Sequence, residues 1–299
     1  MTTAEETRLR IGRFGVWLAP QTLLGTPVPV QREQFTRIER LGYGSLWTGE
    51  PPATAPVSSR EILAQLAVAL AATERLVLGA GIANIGMRDP MAMHSGAATL
   101  AEAYPGRLIL GLGGQSGDRP LTQLRRYLDA MDEAATRIPP GPRYPRVLAA
   151  LGPKAHQVAG ERTDGVHPFM QPVEHTRAAR KALGPGPLLV PHQALYLDTN
   201  AETARAQLRA LLTTGRREVV ETPYTRNYRR LGYGNDDLAG EYSDRLIDAT
   251  LAWGDEATIA DRLHAHLDAG ADHVLLHPLT PDLPSAVDHL ERLAPLLRP

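Results

Sequence analysis

The sequence contains no cysteine, which excludes disulfides, thiol nucleophiles and thiolate metal sites. Aromatic residues make up only 5% of 299 positions, with three phenylalanines and three tryptophans. No charge sign dominates: 32 Lys and Arg stand against 33 Asp and Glu, for a net charge of -1. With no basic block, nucleic acid is not expected as a partner. No run reaches the ~18 apolar residues of a membrane span. The opening MTTAEETRLR lacks the apolar core of a secretion signal. The expectation is a soluble cytoplasmic protein with neither a membrane nor a nucleic-acid partner.

What is present begins with Leu76 to Gly114, LVLGAGIANIGMRDPMAMHSGAATLAEAYPGRLILGLGG. Two apolar runs, Leu76–Ala80 and Arg107–Leu110, flank a helical segment opened by Asp89-Pro90, a cap residue followed by proline. Both runs end in glycine. Strand, helix, strand in that order reads as a parallel βαβ unit, whose ligands bind at the carboxyl ends of the strands. Gly111, Gly113 and Gly114 serve there either as close backbone approach to a cofactor or as turn chemistry.

The pattern recurs along the chain. Further strands are read at Arg13–Leu18, Gly44–Thr48, Arg146–Ala150, Asp164–Pro168, within Leu188–Leu197, and at His273–Leu276. Helices are read at Gln31–Leu41, from Ser58 or Ser59 to about Ala72, at Asp118–Ala135, from Pro153 through Val158, and at Val173–Leu183, Asn200–Leu212, Asp255–Ala269 and Pro284–Leu297. Positions 214–254, containing TPYTRNYRRLGYGNDD, read as an irregular or short-helical insertion. Eight alternating units predict a (β/α)8 TIM barrel, one domain over 1–299, with that insertion before the last βα unit. A doubly wound open sheet would call for GxGxxG after the first strand, and LAPQTLLGTP has none.

Several residues carry candidate chemistry. Glu50 ends the second strand and either donates or accepts a proton, or is a surface carboxylate or a helix-end partner. His167 and His192 lie near strand ends, where each either polarises a carbonyl or serves as a bonded structural residue. His277 shares a strand face with His273 and reaches the pocket or packs. Trp17 lines the pocket while Trp47 belongs to the core. His264 and His266 face apart on one helix, and no metal site is expected. Tyr224, Tyr228 and Tyr233 with Arg226, Arg229 and Arg230 form a patch that either clamps an acidic tail or is a solvated flap. The apolar face Ile62, Leu66, Ala69 and Leu70 is a candidate dimer interface.

Six segments, each at a strand end and in fixed order, carry a resemblance: GYGSLWTGE, GAGIANIGMRDPMAM, AEAYPGRLILGLG, VLAALGPKA, ERTDGVHPF and AWGDEATIADRLHAHLDAGADHV. The chain resembles the luciferase-like monooxygenase superfamily, and within it the coenzyme F420-dependent oxidoreductases of actinobacteria. The resemblance implies a flavin-type ring over the strand ends, propped by a bulge at Ile82, Ala83 and Asn84 that often holds a non-proline cis peptide. It implies a phosphate held by Ala150, Leu151 and Gly152, with Gly165 and Val166 nearby. It implies hydride transfer between F420 and a small organic substrate, and a homodimer. An FMN-dependent monooxygenase is the alternative, and a non-catalytic ligand-binding barrel a second one. Two places depart from the pattern. Gly49-Glu50 stands where many relatives carry Asp-His, and GGQSGDRP after the fourth strand is short.

Overall fold

The computed structural model describes residues 3–51, 58–114, 117–139, 141–212 and 220–297. The chain opens with α1 (Thr3–Ile11), β1 (Phe14–Trp17), α2 (Pro20–Gly25), α3 (Val28–Arg40), β2 (Ser45–Thr48) and α4 (Ile62–Ala72). It continues with β3 (Val77–Ala80), β4 (Ala83–Asn84), α5 (Pro90–Ala103), β5 (Leu108–Gly113), α6 (Pro120–Ala135), β6 (Arg146–Leu148) and α7 (Pro153–Arg162). Then come β7 (Gly165–Val166), α8 (Val173–Leu183), β8 (Leu188–Leu189), β9 (His192–Leu197) and α9 (Ala201–Leu212). The last part holds α10 (Pro223–Arg230), α11 (Asn235–Leu238), α12 (Asp244–Thr250), β10 (Leu251–Gly254), α13 (Glu256–Asp268), β11 (Val274–Pro278) and α14 (Leu283–Leu297).

The strands run in the order β10-β9-β11-β1-β2-β3-β5-β6-β7-β8, with β4 on β5, and every pairing within this sheet is parallel. This is a parallel α/β half-barrel. The eight expected strands become eleven: β10 (Leu251–Gly254) lies within the stretch read as an insertion, and two expected strands are each divided for a local reason. The third is interrupted at Gly81-Ile82, so that β4 re-pairs with β5 in the register Ala83↔Leu112. The seventh is split at Val190-Pro191, since proline donates nothing to a ladder. Val77–Ala80 and Leu108–Gly113 are buried throughout. That explains their unbroken apolar sequence, because a parallel strand is covered on both faces.

The apolar residues sort onto those two faces. One large cluster joins the sheet to the helices through Phe35, Ile38, Leu66, Leu70, Leu124, Leu128 and Leu290. A second takes Trp17, Trp47, Val77, Ile109, Val147, Leu188 and Leu275, one from each of seven strands. Ile62, Leu66, Ala69 and Leu70 are 0–2% exposed. They pack onto the sheet and are not open to a second subunit, which corrects the expected dimer face.

Other differences have local causes. Helix α1, absent from the sequence reading, adds Ala4 and Ile11 to the inner cluster. Arg8 ties it to Asp272 at 2.8 Å. Its polar sequence hides this because two buried apolar positions make a weak helical pattern. Helix α7 runs four residues past Val158, to Arg162. The insertion is more ordered than read, holding α10, α11, α12 and β10; its positions 214–219 lie outside the described residues. Among the described residues no helix is long and apolar enough to cross a membrane.

Candidate active site

Strand ends β3, β5 and β6 lie side by side, which places 79–84, 111–114 and 150–152 on one rim. Leu110–Leu112 pairs with Arg146–Leu148, and Ala83-Asn84 with Leu112-Gly113. The peptide between Gly81 and Ile82 is cis. The Trp17 indole N–H donates to the Gly81 carbonyl at 3.0 Å. Ile82 is half-buried while Ala83 and Asn84 are buried, so Ile82 is the face that this bulge shows to the rim.

Glu50 sits behind the bulge with every lone pair engaged. Its Oε2 accepts from the Asn84 amide at 2.9 Å and from Arg88 Nη1 at 2.9 Å. Its Oε1 accepts from the Ile62 amide at 3.2 Å and from Arg88 Nη2. A bidentate guanidinium fixes a carboxylate in geometry as well as charge. Glu50 is therefore placed as a brace between β2, α4 and the bulge. Arg88 escaped the sequence reading, although a lone arginine just before the Asp89 cap was the available signal.

Gly111, Gly113 and Gly165 face protein. A Cβ on Gly111 would strike the Ala80 carbonyl, one on Gly113 would lie 2.7 Å from Ile82 Cδ1, and one on Gly165 would meet Leu188. These glycines let neighbouring strands and the bulge approach each other. Val166 is likewise fully buried, in the sheet-to-helix cluster.

At the other end of the rim, Ala150, Leu151 and Gly152 lead into α7, and Gly152 caps the helix with no side chain. Ala150 is buried and its carbonyl bonds His156 Nε2 at 3.2 Å. Arg230 of α10 lies against Gly152, since a Cβ there would come 3.2 Å from its Nη1. His175 Nδ1 accepts from Asn227 Nδ2 at 3.0 Å, which leaves the proton on Nε2, a buried donor with no partner. Burial, with His156, His266 and Arg230 nearby, pushes His175 down to about 3. An orphan donor, a guanidinium whose bond is to the Asn227 side-chain oxygen at 3.4 Å and not to a carboxylate, and a helix N-terminus together suit an anion. His175 and Asn227 were not found from sequence, as neither stands in a motif.

Between these ends lies a cluster of rings. His167 Nδ1 bonds the Val190 carbonyl at 2.8 Å, which makes Nε2 a bare, buried acceptor facing Gly81. Burial pushes it down to about 4. His192 Nε2 meets His277 Nδ1 at 2.9 Å. Trp17 packs on His277 at 4.5 Å and Phe169 on His192 at 3.9 Å between centroids. Trp47 is fully buried and donates to Ser45 Oγ at 2.8 Å. His273 bonds Gly12 and Ser45, some four residues or ~13 Å of strand from His277. A cleft of about 600 Å³ between β10 and α13, lined by Asp248, Trp253, Asp261 and Arg262, touches none of the expected site residues. Among the described residues no group of three His, Asp or Glu is placed to hold a metal.

With this geometry established, comparison with known proteins gives a family and a fold. The profile of the luciferase-like monooxygenases matches residues 12–133 and 116–273. An F420-dependent secondary alcohol dehydrogenase, solved with an F420-acetone adduct, is 17% identical with a TM-score of 0.69, covering 96% of this chain and 99% of its own. The coenzyme F420-dependent tetrahydromethanopterin reductase of Methanopyrus kandleri is 18% identical with a TM-score of 0.70, covering 96% of this chain and 99% of its own. The oxygenating constituent of 3,6-diketocamphane monooxygenase from Pseudomonas putida, solved with FMN, is 13% identical with a TM-score of 0.65, covering 95% and 98%. At these identities the likeness is one of fold.

Proposed function

The chain belongs to the luciferase-like monooxygenase family, and from that premise we propose that it transfers a hydride between coenzyme F420 and a small organic substrate. The observation that carries the reading is the donor set around Gly152. The start of α7, the unpartnered His175 Nε2–H and Arg230 fit a phosphate. Arg226 lies one helical turn before Arg230 on α10, so the two share a face. Neither has a carboxylate partner among the described salt bridges, which suits the acidic tail of a deazaflavin better than the shorter FMN.

The bound deazaflavin would supply the hydride chemistry; the protein supplies position, dryness and polarity. Ile82, with Ala83 and Asn84 beneath, would back the ring, held by Glu50 and by the Trp17 indole. Glu50 acts as a positioning residue in this reading. Ala150, Leu151 and Gly152 would seat the phosphate, and His167 and the buried strand ends would keep water from beneath the bulge. We also read the sheet as an eight-unit barrel in one domain over 1–299, with 214–254 inserted. The support is that Leu188–Leu197 bonds both neighbours: Leu188 N–H to Asp164 and Val190 N–H to Val166 on one side, Asp272 N–H to Leu189 and Leu275 N–H to Pro191 on the other.

Fluorescence titration of the purified protein with F420 and with FMN tests this. F420 should bind, with affinity at least tenfold weaker in Arg226→Ala, Arg230→Ala protein. Binding of FMN alone would transfer the reading to a flavin monooxygenase. Failure of both would leave a non-catalytic barrel.

A further inference from the structure

Three imidazoles cluster around Phe169 and Trp17, with His192 opening β9, and their hydrogen bonds fix where each proton sits. The Met170 backbone N–H donates to His192 Nδ1 at 3.4 Å. A backbone amide can only donate, so His192 carries its own proton on Nε2. That Nε2–H points at His277 Nδ1, 2.9 Å away. His277 Nδ1 therefore accepts, and its proton is on Nε2. His277 Nε2 makes no hydrogen bond among the described residues, and it is not among the nitrogens sealed from solvent. His167 differs: its free nitrogen is a lone pair and is fully buried.

The backbone is bent to make this chain of bonds. Met170 has φ of 53°, a left-handed conformation that costs a non-glycine residue about 1 kcal/mol or more. It is held by Tyr228 Oη and Gln171 Nε2, which both donate to the Met170 carbonyl, at 2.7 and 2.8 Å. Tyr228 comes from α10 and Gln171 from the loop before α8. Two side chains thus maintain a costly turn whose amide sets the tautomer of His192, and through it that of His277. Such outliers gather where geometry serves function. His277 lies one residue before the end of β11, beside Trp17, whose indole is bonded to the Gly81 carbonyl of the bulge. The open Nε2–H is thus one ring away from the ring seat.

We propose that His277 is the hydrogen-bond donor to the substrate's reacting oxygen, and that His192 is the positioning residue that keeps its proton on Nε2. The inference rests on the hydride-transfer reading above. Glu50 cannot take the role, since Arg88 and two amides fill its lone pairs. His167 presents no proton toward the rim. Burial holds His277 neutral, with a pKa near 3. A neutral imidazole polarises a carbonyl or hydroxyl oxygen by donating, without becoming an acid that gives its proton away. The site is therefore matched to an uncharged oxygen compound, and a neutral donor gives no preference for carboxylates. The proton stays on Nε2 in this role; when a carbonyl accepts the hydride, the proton that completes the alcohol comes from solvent water.

The test uses the full chain with 15N-labelled histidine. Long-range 15N–1H spectra at neutral pH should show His192 and His277 both neutral with the proton on Nε2. A His277 protonated on Nδ1 would overturn the proposal, with no variant required. Cyclohexanone is then titrated into F420-loaded protein as the carbonyl probe. The His277 Nε2–H signal should move on titration. Its apparent affinity should fall at least tenfold in His192→Phe, which lacks a donor. His192→Gln, whose amide can donate to Nδ1, should restore it. An unmoved His277 signal in protein that binds F420 normally would overturn the proposal and leave the hydride-transfer reading standing. Loss of F420 binding in wild-type protein would end that reading, and the proposal with it. If His192→Phe changes neither tautomer nor affinity, His192 has no positioning role.

Discussion

Glu50 is 2% exposed at its side chain and Arg88 12%, so the pair is nearly dry. Removing one member of a buried pair strands the other, at a cost of about 3–5 kcal/mol. Arg88 also reaches Glu61 at 2.8 Å, half exposed, which returns part of that. Glu50→Gln should therefore lose about 3 kcal/mol in urea unfolding at unchanged slope. Glu50→Leu with Arg88→Met together should recover at least half of it, because no charge is left buried. If Glu50→Gln instead leaves stability unchanged and alters only a pH profile, Glu50 is a proton carrier and not a brace.

At the scale of elements, two glycines with opposite surroundings predict opposite outcomes. Gly111 on β5 has the Ala80 carbonyl of β3 where a Cβ would go. Backbone cannot swing away as a flexible side chain would, so Gly111→Ala must part the strands, costing about 2 kcal/mol or more. Gly160 on α7 is exposed, helical, and meets nothing within 4 Å. Gly160→Ala should stabilise by about 0.4–1 kcal/mol through reduced unfolded-state entropy. Thermal melts of both variants decide this, and a neutral Gly111→Ala would remove the close-packing account of the β3–β5 contact. The elements were largely legible in sequence. Asp89 caps α5 with its side chain on Met91 N–H at 2.8 Å, and Asp255 caps α13 on Thr258 N–H at 2.8 Å. Both are local signals that no distant contact overrides.

Over the whole molecule, buried neutral histidines couple stability to acid. Burial pushes His167 and His273 down to about 4, and His175, His266 and His277 down to about 3. In the unfolded chain each titrates near 6.5. Between these values the unfolded state binds the proton and the folded state does not. Stability must then rise with pH through the window. It is fully present above about pH 6.5 and is lost as pH falls toward 4, each histidine contributing about 1.4 kcal/mol per pH unit there. Urea midpoints taken from about pH 7.5 to 5 should fall steadily, and His266→Gln should flatten the slope by about one proton. A midpoint independent of pH would mean these imidazoles are charged or solvated in the fold.

The sequence by itself determined the parallel alternation, the rim and the family, because each is written in local signals. Continuous apolar runs, glycine at strand ends, caps and proline starts all act within a few residues. Only the tertiary structure decided what the polar groups at the rim do. Glu50 meets Arg88 across 38 positions and His192 meets His277 across 85. The burial of Ile62, Leu66, Ala69 and Leu70 against the sheet was decided the same way. A carboxylate's role, or a tautomer, depends on which donor arrives from another strand, and spacing along a chain does not record that arrival.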